Sequence, residues 1–265
     1  MHKPRLVYLA LPEQRKSGLL SRIVNIRTGA SVPEANAMAA TKLTEWLELA
    51  EVRNVLVAGG NSPLDLYGLI AERPLSLCRL RVFALDEYVG VPLEEPRNCA
   101  NLMRRRVVEA WQVPETNYFT ISSLVSAAAA SVQRHERLIQ EWGGLDVAIL
   151  GLGQNGHLGF NEPGSAKDAP ARVVHLNPIS VEANRQWFSG DYAPAAGATV
   201  GLGTLLAARR VLVLAFGPHK TAAVRAMAEG EPTSSCPASF LQDHPNAWLF
   251  LDAPAAAGLN RAAPR

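Results

Sequence analysis

The chain has 265 residues, 48% of them hydrophobic and 19% charged, and its 26 basic and 24 acidic side chains leave a formal net charge of +2. So apolar a composition excludes a disordered chain, and the length suffices to bury a large core without staples. Basic residues are scattered rather than gathered, so neither nucleic acid nor a membrane surface is expected as a partner.

Cys78, Cys99 and Cys236 are odd in number and make no CxxC pair, which argues against a disulfide framework and a zinc site and for a reducing compartment. No apolar run approaches the ~18 residues that span a bilayer. Pro12 and Glu13 interrupt the N-terminal apolar patch before a secretory signal develops, so a cytoplasmic protein is expected.

In chain order, helical periodicity opens at 31–49, a strand follows at 54–57, a helix at 62–71 and a strand at 80–85. Helices are expected at 99–111 and 127–142, strands at 145–150, 172–176 and 211–216, a helix at 218–229 and a last strand at 247–251. Continuous apolar runs such as LDVAIL and RVLVLAF suit strands buried on both faces. The pattern predicts an α/β fold: a single doubly wound, mostly parallel sheet with helices on both faces, Rossmann-like in layout. Residues 1–22 read as an N-terminal extension and 253–265 as a C-terminal tail around a domain at 23–252; no internal repeat is visible.

Ligands of such sheets sit outside the carboxyl ends of the strands, so the residues after each strand are read first. After 54–57 comes AGGNSP, where Gly59, Gly60, Asn61 and Ser62 form a candidate phosphate turn, with Ser62 as helix cap and Pro63 as first helical residue. An ordinary glycine-rich turn before a capped helix explains the segment equally well. After 80–85 come Asp86 and Glu87, of which at most one can face a crevice as a general base.

After 145–150 comes LGLGQNGHLGFNEPG, whose Gly151, Gly153 and Gly156 satisfy GxGxxG. A dinucleotide site is rejected, because Pro163 interrupts the helix it needs and Asn177, not an acid, follows VVHL. The loop instead gathers His157, Glu162, Asn155 and Asn161, a set suited to proton transfer and hydroxyl recognition. After 211–216, Lys220 stands in the first turn of a helix, the end cations avoid unless an anion binds beside them.

Taken in order, LDEYVG, GLGQNGHLGFNEPG, TVGLGTLLAARRVLVLAFGPHK and CPASFLQDHPN resemble the glucosamine-6-phosphate deaminase family of amino-sugar phosphate isomerases, over about residues 24–252. The resemblance implies the fold of the sugar-phosphate isomerases and an enzyme that opens an aldohexosamine 6-phosphate, isomerises it to a ketosamine and releases ammonia, with no metal or organic cofactor. It implies Asp86 as the base moving a proton between C2 and C1, His157 as the ring-opening imidazole, Glu162 as its carboxylate partner, and Gly59 to Ser62 with Lys220 as the phosphate site. A small-molecule sugar phosphate is the expected partner, and self-association is left open.

This sequence departs from the family pattern in several places. Asn155 replaces an aspartate two residues before the histidine, and an amide can orient an imidazole without stabilising its charge. GLGQNGHLG with PASFL downstream looks closer to the galactosamine-6-phosphate deaminase branch, which implies tagatose 6-phosphate as product. Gly59 stands where threonine is usual, a feature shared with 6-phosphogluconolactonases. Arg185 lies one place off the family's phosphate-binding arginine and is the candidate for that role. Of the basic allosteric cluster found in some members only Ser165 and Arg172 match, with Val174 in place of a lysine, so regulation by an acetylated sugar phosphate is not expected. The competing functions are lactone hydrolysis of a phosphosugar, from the GGNSP turn, and a non-catalytic sugar-phosphate sensor, from Asn155. The polar stretch 177–197 is the candidate cover of the site.

Overall fold

A computed structural model describes residues 24–260. The expected extension at 1–22 and the end of the expected tail, from 261, lie outside the described residues. In chain order the elements are β1 (Asn25–Gly29), α1 (Val32–Leu47), β2 (Asn54–Val57), α2 (Leu64–Ala71), β3 (Arg81–Ala84), β4 (Asp86–Tyr88), α3 (Cys99–Met103), β5 (Tyr118–Phe119) and α4 (Ala128–Glu141). They continue with β6 (Val147–Gly151), β7 (Arg172–His175), α5 (Pro178–Trp187), β8 (Ala196–Thr199), α6 (Leu202–Leu206), β9 (Val211–Ala215), α7 (Thr221–Glu229), β10 (Ala247–Asp252) and α8 (Ala253–Ala256).

Seven strands pair in the order β1-β10-β9-β6-β2-β3-β5. Every pairing among them is parallel. The apolar runs fill both faces because successive strand residues point to opposite sides. In β9, Val211, Val213 and Ala215 join one core with Leu56, Ala148 and Leu249, packed by α4, α6 and α7. Leu212 and Leu214 join the other with Val55, Ile149 and Phe250, packed by α1 and α2. Truncating any of these buried leucines to alanine should cost about 2–5 kcal/mol. The doubly wound expectation holds.

The differences from expectation have local causes. The segment 172–176 forms a strand outside the parallel sheet, in a small antiparallel sheet ordered β4-β8-β7. Its alternation of half-buried and exposed residues suits one covered face, unlike the fully buried central strands. The helix expected at 99–111 is α-helical only to Met103 and continues as wider π-type turns over Arg104–Glu109. The fold also runs past the expected boundary at 252: the Asp252 carboxylate accepts the Ala255 N–H and caps α8, whose Ala255 is fully buried. Among the described residues no helix is long and apolar enough to cross a membrane.

Candidate active site

From β2 the chain moves outward to β3 and β5, then β6 starts on the other side of β2 and leads to β9 and β10. At the carboxyl ends of parallel strands such a reversal leaves a crevice. A cavity of about 210 Å³ lies there, lined by the turn after β2, by Asp86 after β3, by the loop after β6 and by Lys220 after β9. The four junctions singled out in the sequence thus meet in one place.

The turn after β2 is held from below. The Tyr67 hydroxyl donates to the Ala58 carbonyl at 2.9 Å and accepts the Ala58 N–H at 3.0 Å, fixing the strand end where Gly59 begins. Gly60 has φ +87° and nothing near the place of a Cβ, so the turn is open on its outer side. That conformation suits glycine. Ser62 does not cap α2, contrary to expectation: the helix begins at Leu64, Pro63 occupies the cap position, and the cap has no side-chain bond. Ser62 lines the cavity together with Gly59, Gly60 and Asn61.

Asp86 and Glu87 part company because neighbouring strand residues point to opposite faces. Asp86 faces the cavity, while the buried Glu87 turns away and accepts N–H bonds from Tyr88 at 2.8 Å, Cys99 at 3.2 Å and Ala100 at 2.9 Å, tying β4 to the start of α3. Burial, reinforced by the neighbouring Glu87 charge, pushes the Asp86 carboxyl up to about 7. Asp86 is therefore a carboxylate that exchanges protons near neutrality.

The loop after β6 runs to β7 without a helix, which removes the setting a dinucleotide fingerprint needs. Its backbone closes on itself, with the Gly153 N–H donating to the His157 carbonyl at 3.0 Å. A Cβ at Gly153 would sit 2.4 Å from the His157 ring, so only glycine lets the imidazole lie against that turn. Nδ1 of His157 is 3.3 Å from Oε2 of Glu162 and 3.5 Å from the Ser180 hydroxyl. The other ring nitrogen makes no hydrogen bond among the described residues, and His157 lines the cavity.

Glu162 stands behind the histidine. Burial works to raise its carboxyl, but hydrogen bonding and charge attraction from His157, with the bond from Asn155, bring it down to about 2. It stays ionised at any working pH. Asn155 does not touch the imidazole ring: its amide donates to Glu162 Oε2 at 2.7 Å and its carbonyl accepts the His157 backbone N–H at 3.3 Å. It orients the histidine through the carboxylate and the main chain. Asn161, expected at the site, is fully buried behind it, donating to the Leu158 and Val200 carbonyls and accepting from Arg172 at 3.0 Å. Arg172 also reaches Ser165 at 2.8 Å, so the two matches to the allosteric cluster bind each other.

Lys220 ends a short 3-10 turn, Pro218–Lys220, and stands at the N-terminus of α7. Burial lowers its ammonium to about 8. Across the cavity α5 presents Ile179, Ser180, Ala183, Asn184 and Trp187. The Asn177 side chain caps this helix and Pro178 opens it, so the polar stretch 177–197 begins with a helix covering the site. The Tyr88 hydroxyl and Asn184 Oδ1 lie 3.1 Å apart, linking that cover to β4. Arg185 belongs to the other side of α5: its side chain is 56% exposed, lies 3.4 Å from Glu182, and does not line the cavity, contrary to the phosphate role expected for it. Ser180, Asn184 and Trp187 are residues that sequence reasoning missed, although their spacing of four and three marks a single helix face.

A family model described as glucosamine-6-phosphate isomerases/6-phosphogluconolactonase matches residues 28–250. A glucosamine-6-phosphate deaminase of Cutibacterium acnes is 37% identical over 230 residues, which cover 85% of this chain and 88% of the relative. A glucosamine-6-phosphate deaminase of Shewanella halifaxensis is 35% identical over 244 residues, covering 90% and 91%. A solved monomeric glucosamine-6-phosphate deaminase superposes with a TM-score of 0.84 at 28% identity, over 89% of this chain and 100% of that one. The 6-phosphogluconolactonase from Trypanosoma cruzi shares the fold, with a TM-score of 0.75 at 22% identity over 91% and 98% of the two chains. By the extent of the family match and the identity to these relatives, the chain belongs to the glucosamine-6-phosphate isomerase/6-phosphogluconolactonase family of enzymes.

Proposed function

We propose that the protein isomerises and deaminates a hexosamine 6-phosphate, taking up one water and releasing a ketohexose 6-phosphate and ammonia. The observation that carries this reading is the meeting of a near-neutral carboxylate, a carboxylate-backed imidazole and a half-buried lysine in one crevice. The phosphate is anchored by Lys220, the Gly59 to Ser62 turn and the N-terminus of α2, where unpaired N–H groups favour an anion. Anchoring there supplies binding energy remote from the reacting carbons.

His157, held by Glu162, relays the proton from the anomeric hydroxyl to the ring oxygen, opening the sugar. Ionised Asp86 takes the proton from C2, the electron pair forms the C1–C2 double bond, and the C1 carbonyl electrons move to O1, which takes up a proton to give an enol-type intermediate. Asp86 returns its proton to C1 as the nitrogen lone pair forms a C2 iminium; water adds to C2, one of its protons passes to the nitrogen, ammonia departs, and the remaining proton is lost as the C2 carbonyl forms. The steps call on a carboxylate that exchanges protons near neutrality and on an imidazole that can pass a proton between two oxygens.

The relatives' names favour glucosamine 6-phosphate as substrate, with fructose 6-phosphate as product. The motif pointing to galactosamine 6-phosphate includes PASFL, but that segment packs behind the histidine loop, where the Ala238 N–H donates to the Gly156 carbonyl at 2.9 Å, and does not line the cavity. It shapes the loop and does not read the C4 hydroxyl. Cysteines 78, 99 and 236 are free, which supports a reducing, cytoplasmic setting for this chemistry.

The test is enzyme-coupled ammonia detection with glucosamine 6-phosphate and galactosamine 6-phosphate, without added metal. Release from the glucosamine epimer is expected to be the faster. No release from either at micromolar enzyme would reject the reading, and acid production from 6-phosphogluconolactone in its place would assign lactone hydrolysis.

A further inference from the structure

The helix that covers the crevice, α5, cannot end well unaided. Its last residue is Trp187, and the turn that follows holds Ser189 at φ +54°, a left-handed conformation that favours glycine. The last carbonyls of any helix also lack partners within it. One side chain from the opposite wall meets both needs. Arg97 donates from Nη1 to the Trp187 carbonyl at 3.2 Å and to the Ser189 hydroxyl at 3.0 Å, and from Nη2 to the Asp191 carboxylate at 3.0 Å. Its guanidinium carbon stands 5.4 Å from the centre of the fully buried Phe188 ring.

Arg97 is itself fastened. The Glu95 carboxylate accepts its Nε–H at 2.7 Å and its backbone N–H at 3.1 Å. The next residue, Asn98, caps α3, and the one after it, Cys99, gives its N–H to Glu87, the neighbour of Asp86. The loop end that Glu87 ties to the strand of the base is therefore the same one that Arg97 ties to the cover.

We propose that Arg97, which does not line the cavity, is a positioning residue for substrate binding: it fastens the end of α5 so that Ser180, Asn184 and Trp187 stay against the crevice. The inference rests on the deaminase reading for the substrate it names. An exposed ion pair such as that with Asp191 contributes little alone. The hold comes from one rigid, planar group meeting a backbone carbonyl, a hydroxyl, a carboxylate and a ring at once, and a cation also suits the C-terminal end of a helix. A flexible ammonium reaches only part of that set.

The experiment compares Arg97→Met, which keeps an apolar stem over Phe188 without donors, and Arg97→Lys with the unaltered enzyme. Initial rates of ammonia release should show KM raised about tenfold in Arg97→Met with kcat within about threefold, and Arg97→Lys should recover part of the loss. Limited chymotrypsin digestion without substrate should cut Arg97→Met within 177–197, at Trp187, Phe188 or Tyr192, several times faster than the parent. Should Arg97→Met fail to fold, Arg97→Gln, which keeps one donor group, is expected to change in the same direction by less. A folded variant with the parent's KM would assign Arg97 to stability alone and overturn the proposal, as would a loss confined to kcat or an unchanged cleavage rate. An unaltered enzyme inactive on both hexosamine phosphates would overturn the functional reading, and the cleavage rates would then decide the role of Arg97 by themselves.

Discussion

Replacing Asp86 with asparagine should abolish turnover and stabilise the fold, because the buried charge that suits this side chain to the proposed role of base is one the fold bears at a cost. The residue is 8% exposed, and burial with the adjacent Glu87 moves its carboxyl from 3.8 to about 7. The folded protein thus binds this proton more tightly than the unfolded chain does. Between pH 3.8 and about 7 stability therefore falls as pH rises, and above that range the full cost is present. At ~1.4 kcal/mol per pH unit the ceiling is about 4 kcal/mol, and roughly 2–4 kcal/mol is expected once the cost of burying the asparagine amide is deducted. For a domain of this size that raises Tm by roughly 5–10 °C near pH 8.5, and by much less near pH 4.5. Thermal melts of both proteins at the two pH values measure the difference. Ammonia release should meanwhile fall by about a thousandfold or more, with sugar-phosphate binding largely retained. An asparagine variant that melts no higher than the parent near pH 8.5, or that gains equally at both pH values, would refute a costly buried charge at this position.

Lys220→Met should raise KM roughly tenfold to a hundredfold while changing kcat less, measured by initial rates over substrate concentration, since it removes a charged contact remote from the chemistry. In the parent enzyme kcat/KM should rise as Asp86 loses its proton near pH 7 and fall as Lys220 loses its own near 8, a narrow bell that a flat profile from pH 6 to 9 would exclude. Arg185→Ala should leave KM within about twofold, as expected of an exposed side chain whose ion partner is another exposed side chain; a tenfold rise would mean that α5 turns this arginine onto the phosphate when ligand binds.

The parallel sheet was readable because its central strands advertise burial on both faces: NVLV at β2 and VLVLA at β9 carry no polar residue after their first position. Elements that depend on partners far along the chain were not readable. β4 is three residues, DEY, and β8 is AGAT, neither with a pattern of its own. They exist because Asp86 to Tyr88 pair antiparallel with Gly197 to Thr199, and that pairing turns the chain out of the main sheet right at the base. Nor could the cap of α2 be assigned from Ser62 and Pro63 alone, since the helix starts one residue later and frees the serine for the crevice.

Within the site, what sequence revealed was chemistry at strand ends, and what it concealed was division of labour between neighbours. Residues as alike as Asp86 and Glu87, or Asn155 and Asn161, have opposite assignments: one of each pair serves the crevice or its imidazole, the other serves backbone groups. Spacing could not separate them, because the choice follows from which face is buried against α3 or β8. Asn155 illustrates the consequence. Read in sequence, it is a lost aspartate that weakens the histidine. In the fold its amide hydrogen bonds to the carboxylate that already stands at the imidazole, at 2.7 Å, a distance at which a second carboxylate would have to share a proton. The substitution therefore keeps the negative charge on Glu162 alone, and the proton relay proposed for His157 depends on a single ionised partner.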